Sequence, residues 1–66
     1  MAKPYILCIE TATQVCSVAL FAGDELLADR NEVGFIHSAK TAIFIQECLQ
    51  VAGIKPKQLD AVAVDI

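Results

Sequence analysis

Ile6-Leu7-Cys8-Ile9-Glu10-Thr11-Ala12-Thr13-Gln14-Val15-Cys16-Ser17-Val18-Ala19-Leu20-Phe21 sets two apolar segments on either side of a polar one, residues 10–14. Residues 5–9 are continuously apolar, rich in strand-favouring types and too few for a typical helix, which predicts a central strand buried on both faces. Residues 15–21 read as a second strand, so the stretch is strand, turn, strand. Its polar tip gathers the Glu10 carboxylate, the hydroxyls of Thr11 and Thr13, and several backbone N–H groups. Two readings of the tip stand open. It offers donors and acceptors to a phosphate or a metal-bound phosphate; equally, the threonines serve only the turn's own backbone while Glu10 sits in water.

Working outward, Pro4 stands where a strand begins without losing a ladder donor. Ala22-Gly23-Asp24 supplies a turn in which Gly23 can take positive φ, leading into residues 25–33. That segment is apolar at Leu26, Leu27 and Ala28, then polar through Asp29, Arg30, Asn31 and Glu32, as in an edge strand whose charges discourage further pairing. Gly34 breaks the pattern. Ser38 is a fitting N-cap for a helix over residues 39–52, with Gly53 at the C′ position and Pro56 beyond it. At roughly 100° per residue, Ala42, Phe44, Ile45, Cys48, Leu49, Val51 and Ala52 cover about half the circumference, more than docking on one sheet requires. The excess, Phe44 and Val51 with Ile43 beside them, predicts contact with a second body, either further sequence or another protein. Leu59-Asp60 then leads into residues 61–66, whose small and β-branched side chains suit a parallel strand reached by a helical crossover. The expected fold class is α/β: order β-β-β-α-β, a mixed sheet with strands 1–3 antiparallel and strand 4 parallel. This is the opening of a ribonuclease H-like domain, the unit doubled in actin-like ATPases.

A chain of 66 residues that is 56% hydrophobic buries only roughly 60% of its unfolded surface, so an exposed apolar surface is expected. The strand at residues 61–66 has no capping element after it, and the expectation is a single partial domain that begins a longer protein. With a net charge of −3 and five Lys and Arg, the segment lacks the phosphate-neutralising capacity needed to bind nucleic acid by itself. No signal peptide and no uncharged span of about 18 residues is present, which predicts a cytoplasmic location with no membrane contact. The three cysteines, Cys8, Cys16 and Cys48, lack CxxC spacing and read as small buried thiols in a reducing compartment. His37 is the sole histidine and, with no donor at ligand spacing, reads as a solvated or capping residue. Absence of a His-Glu-x-x-His motif and of a nucleophile paired with a base argues against peptidase chemistry.

With this order in place, Ile6-Leu7-Cys8-Ile9-Glu10-Thr11-Ala12 and Val15-Cys16-Ser17-Val18-Ala19-Leu20-Phe21 resemble the start of the bacterial TsaB (YeaZ) family. His37-Ser38 is similar to that family's His-Ser pair at its first helix, and Leu59-Asp60-Ala61-Val62-Ala63-Val64 to its Leu-Asp-x-(Ile/Val)-Ala-Val strand. The resemblance implies a non-catalytic scaffold subunit in the synthesis of threonylcarbamoyladenosine in tRNA, pairing with TsaD-like and TsaE-like proteins or as a homodimer. It implies no catalytic residue, no metal ligand and no cofactor in this chain, with ATP and magnesium belonging to the assembled complex. The family's second domain is absent from the sequence. Family members pair through helices of this half, which places an expected partner interface at Ile43, Phe44, Glu47, Cys48 and Val51. Nucleotide-binding relatives carry Asp and Gly at the first tip, since backbone amides must approach a phosphate closely. Here Glu10, Thr11, Ala12 and Thr13 lack both and resemble a degraded phosphate loop. The alternatives are a self-sufficient ATPase or sugar-kinase-like enzyme using Glu10 and Thr11, and a glycoprotease-type peptidase.

Overall fold

The computed structural model describes residues 3–12, 14–34 and 38–65. Three strands come first, β1 (Tyr5–Ala12), β2 (Val15–Ala22) and β3 (Glu25–Val33), followed by helix α1 (Ser38–Ala52), a short 3-10 turn at Pro56–Gln58 and strand β4 (Ala61–Asp65). The sheet order is β3-β2-β1-β4. β1 and β2 pair antiparallel, β2 and β3 pair antiparallel, and β4 returns parallel to β1. This is the ribonuclease H-like, actin-like half expected from the order of elements.

The turns follow from glycine. Between β2 and β3 the two loop residues are Gly23 and Asp24; Gly23 takes φ 62 while no non-glycine residue among those described has positive φ. Glycine at the first central position is the requirement of a type II′ hairpin turn, whose twist matches that of the strands it joins. At the end of α1, Gly53 takes φ 73, its N–H donates to the Gln50 carbonyl, and the Ile54 N–H donates to the Leu49 carbonyl. These are the two bonds of a Schellman motif, and Ile54 then packs on the core, as the residue after the glycine commonly does. Pro56 does more than follow the helix. It opens the 3-10 turn, and the Lys55 N–H donates to Gln58 Oε1 at 2.8 Å.

Alternation along the strands divides the sheet into two faces. Register sets Leu7 beside Leu20, Ile9 beside Val18 and Leu20 beside Ala28, so these residues share one face with Cys16. Helix α1 lies on that face, over β2 and β3. Leu7, Cys16, Val18, Leu20 and Ala28 from the sheet and Phe44, Cys48 and Leu49 from the helix form the buried core. A register shift between Leu20 and Phe21 makes Leu27 an extra residue in β3, and it too packs on the core.

The opposite face is open. Ile6, Cys8, Ala19 and Phe21 are half-buried and Leu26 is exposed. The expectation that β1 is buried on both faces is corrected here: β1 is central in order, yet only Leu7 of its residues belongs to the buried core, because α1 covers one side and the described residues put nothing on the other. Cys8 likewise is half-buried, whereas Cys16 and Cys48 are buried.

Polar contacts tie the helix to the sheet. Cys16 Sγ and Thr41 Oγ1 lie 3.1 Å apart, and the Cys48 thiol is directed at the Val18 carbonyl at 3.8 Å. Arg30 Nε stands 3.4 Å from Glu47 Oε1 and Lys40 Nζ 3.7 Å from Glu32 Oε2. The Arg30 and Glu32 charges, expected as edge protection alone, thus also clamp α1 over β3. Both pairs are well exposed, so each contributes at most about 1 kcal/mol. The start of β4 is fixed differently: the Tyr5 N–H donates to Asp60 Oδ2 at 2.7 Å while the Asp60 N–H donates to the Tyr5 carbonyl at 2.8 Å.

Two outcomes test this packing. Leu20→Ala, which hollows a fully buried position, is expected to cost about 2–5 kcal/mol in urea denaturation, while Leu26→Ala on the open face changes stability by less than about 0.5 kcal/mol. Equal costs would contradict the one-sided core. Burial pushes the Cys48 thiol above its ordinary value of 9.0, with Asp29 and Glu47 adding to the shift and Arg30 opposing it. The unfolded chain therefore ionises first, and the stability this thiol contributes, intact below the unfolded value, is lost as pH rises above it. Between about pH 7 and about pH 10 the wild type is expected to lose more stability than Cys48→Ala; parallel losses would show that the thiol is not buried.

Candidate functional site

The polar tip is smaller than its sequence suggests. Thr11 pairs with Cys16 and Ala12 with Val15, so both strands run on and the Glu10, Thr11 and Ala12 backbones belong to the ladder rather than to a loop. Thr13 lies outside the described residues, leaving Gln14 in the turn. The β-branched Thr11 suits a pleated strand, and successive N–H groups of an extended strand point alternately to opposite sides rather than converge. A phosphate cradle needs several free N–H groups converging on one point. The Gln14 carbonyl meanwhile accepts from the Gly34 N–H at 2.8 Å, tying the tip to the end of β3.

Charge argues the same way. Glu10 is exposed, and the parallel register makes Asp65 its neighbour on β4. The Glu10 carboxylate, with no Lys or Arg among residues 10–14, repels an anion. Among the described residues no group of three or more His, Cys, Asp or Glu is arranged to hold a metal ion that would reverse this. His37 lies outside the described residues; the expected cap, Ser38, is the first residue of α1.

The expected interface residues of α1 divide between two sides. Phe44 and Cys48 face the sheet, with 8% and 0% exposure. They are not available to a partner, and their assignment to an outer surface is corrected. The helix settles with Phe44, Cys48 and Leu49 inward because this stripe meets Val18, Leu20 and Ala28. Glu47 is half-buried and turned toward Arg30. Ile43 and Val51 do stand free, 49% and 60% exposed. At spacing i, i+4 and i+8, Ile43, Glu47 and Val51 form one stripe along the helix, flanked by the exposed Gln46 and Gln50. A shallow depression of about 300 Å³ at the end of α1 is lined by Gln46, Leu49, Gln50, Ile54, Lys55 and Pro56. It brings no acid and base together. Of the described helices, none is long and apolar enough to cross a membrane.

No protein-family model and no curated protein matches the chain. Solved structures do. The chain is similar in structure to YeaZ from Pseudomonas aeruginosa, with a TM-score of 0.82 and 27% identity over 92% of this chain. It also resembles an uncharacterized protein with similarity to peptidase YEAZ from Pseudomonas aeruginosa, with a TM-score of 0.81 and 27% identity over 92% of this chain. The matched region is 29% and 28% of those two chains, so this chain spans less than a third of the length of either.

For the tip, calorimetric titration of the chain with ATP and magnesium is expected to give no binding heat, and Glu10→Gln is expected to leave that unchanged. Saturable heat abolished by Glu10→Gln would restore the tip as a nucleotide site.

Proposed function

We propose that the chain is the first part of a TsaB-like accessory subunit in tRNA threonylcarbamoyladenosine synthesis, pairing with a TsaD-like protein and performing no catalysis itself. The structural match to YeaZ over nearly the whole chain is the observation that carries this reading. The ordered motifs of β1, β2, the start of α1 and β4 support it from the sequence side. The chemistry of the tip supports the accessory role, since a ladder-bound, acidic segment without glycine is a poor phosphate cradle. The pairing surface in this proposal is the outer side of α1, with Ile43 and Val51 as its apolar anchors and Gln46, Glu47 and Gln50 around them. An aliphatic pair ringed by polar side chains is a suitable small interface centre. TsaE-like proteins enter the same assembly, and any contact with tRNA comes from other components, because this segment is acidic.

The test uses Ile43→Asp combined with Val51→Asp. Both positions are exposed, so stability is expected to change by less than about 0.5 kcal/mol per site, while co-purification with the TsaD-like protein of the same cell is lost. Undiminished pairing by this folded double variant would sink the proposed surface. Phe44→Asp is the contrasting control: it is expected to unfold the domain, since it puts a charge into the core.

A further inference from the structure

We infer that Asp60 is a register lock: its two hydrogen bonds to Tyr5 select one of two pairings of β4 on β1 that the strand's own side chains do not distinguish. Residues 61–64 read Ala-Val-Ala-Val, a repeat of two, which is also the period at which side chains alternate between the faces of a strand. A slip of one residue turns every side chain to the wrong face and is excluded by that alone. A slip of two is not. In the observed register Ala61 stands beside Ile6 and Val62 beside Leu7. Drawn back by two residues, the strand sets Ala63 beside Ile6 and Val64 beside Leu7, alanine for alanine and valine for valine. The apolar pattern that ordinarily fixes register therefore does not choose between these two.

The connection from α1 does not choose either. Its 3-10 turn is closed by the Lys55 N–H donating to Gln58 Oε1 and by the Leu59 N–H donating to the Pro56 carbonyl. Leu59 then packs against the core. All of this can stay in place in the slipped pairing, because the slip lengthens the span between Leu59 and the first strand pair rather than stretching it. Two residues of strand, about 6.6 Å of chain, simply join the connection.

Asp60 removes that slack. Its N–H donates to the Tyr5 carbonyl at 2.8 Å, and its Oδ2 accepts from the Tyr5 N–H at 2.7 Å. Both backbone polar groups of Tyr5 are thus taken by one residue, which holds Asp60 level with Tyr5 and delivers Ala61 directly to Ile6. The chain just before is curled into the Pro56–Gln58 turn, so the carboxylate supplies the acceptor that a strand carbonyl supplies in a longer ladder. An ionised acceptor makes this bond stronger than its backbone counterpart. The slipped pairing carries Asp60 two residues away from Tyr5 and forfeits both bonds. The choice reaches the first hairpin tip as well, for it sets Asp65 in register with Glu10 rather than with Cys8.

NMR of the isotopically labelled chain reads the register directly, from contacts between backbone protons of β1 and β4. The wild type is expected to show one set, with Leu7 beside Val62 and a protected Tyr5 amide. Asp60→Ala is expected to speed exchange of the Tyr5 amide about tenfold or more and to add a second set of contacts, with Leu7 beside Val64. Asp60→Asn keeps an acceptor of the same reach and is expected to hold the single register, with Tyr5 exchange within about threefold of the wild type. An Asp60→Ala chain that shows only the wild-type contacts overturns the inference. So does one that loses the sheet altogether, because Asp60 then holds the strand and not its register. A second register in Asp60→Asn as populated as in Asp60→Ala overturns it too, since the hydrogen bonds are then not what selects the pairing.

Discussion

The structure depends on one contact: the stripe Phe44, Cys48 and Leu49 of α1 pressed against Cys16, Val18, Leu20 and Ala28 of the sheet. No other layer is present among the described residues, so most of the apolar area withdrawn from water is withdrawn here. Removal of such area is the main force holding a domain together. The thiols of Cys16 and Cys48 fit this seam because they are small and weakly polar, and both find an oxygen across it, on Thr41 and Val18. Ion pairs at the margin align the helix rather than hold it, since exposed charges gain little from pairing.

A core made by one helix on one half of one face leaves the rest of the sheet uncovered. The open face shows Ile6, Cys8, Phe21 and Leu26, and the β4 margin shows Val62 and Val64. Apolar surface of this extent in a small domain marks contact with other protein surface. The outer stripe of α1 is a third such surface, smaller and ringed by polar groups. The tip of the first hairpin, where a related fold would hold phosphate, is occupied by strand pairing and by acidic positions. YeaZ from Pseudomonas aeruginosa shares this architecture.

Much of the fold was legible because its signals are local. A continuous apolar run marks β1, Gly23 between two strands marks a hairpin, and Gly53 ahead of Pro56 marks where α1 stops; each depends only on neighbours in sequence. The limits of the reading also have a physical origin. The polar character of residues 10–14 suggested a five-residue loop, yet polarity does not prevent Thr11 and Ala12 from joining a ladder when Cys16 and Val15 stand opposite. The wide apolar arc of α1 announced more than one contact but not which residue served which.

Residue order by itself thus determined the element sequence, the parallel return of β4 and the glycine-dependent turns, because backbone conformation and hydrophobic period are properties of short segments. Only tertiary structure decided the rest. The rotation of α1 about its axis sends Phe44 and Cys48 into the core and leaves Ile43 and Val51 outside, a choice made by the shape of the sheet beneath. The lateral seat of α1 over β2 and β3 clamps Arg30 to Glu47 and strips cover from Val62 and Val64. Both are long-range outcomes: the same apolar side chain is core or surface according to what the fold sets opposite it.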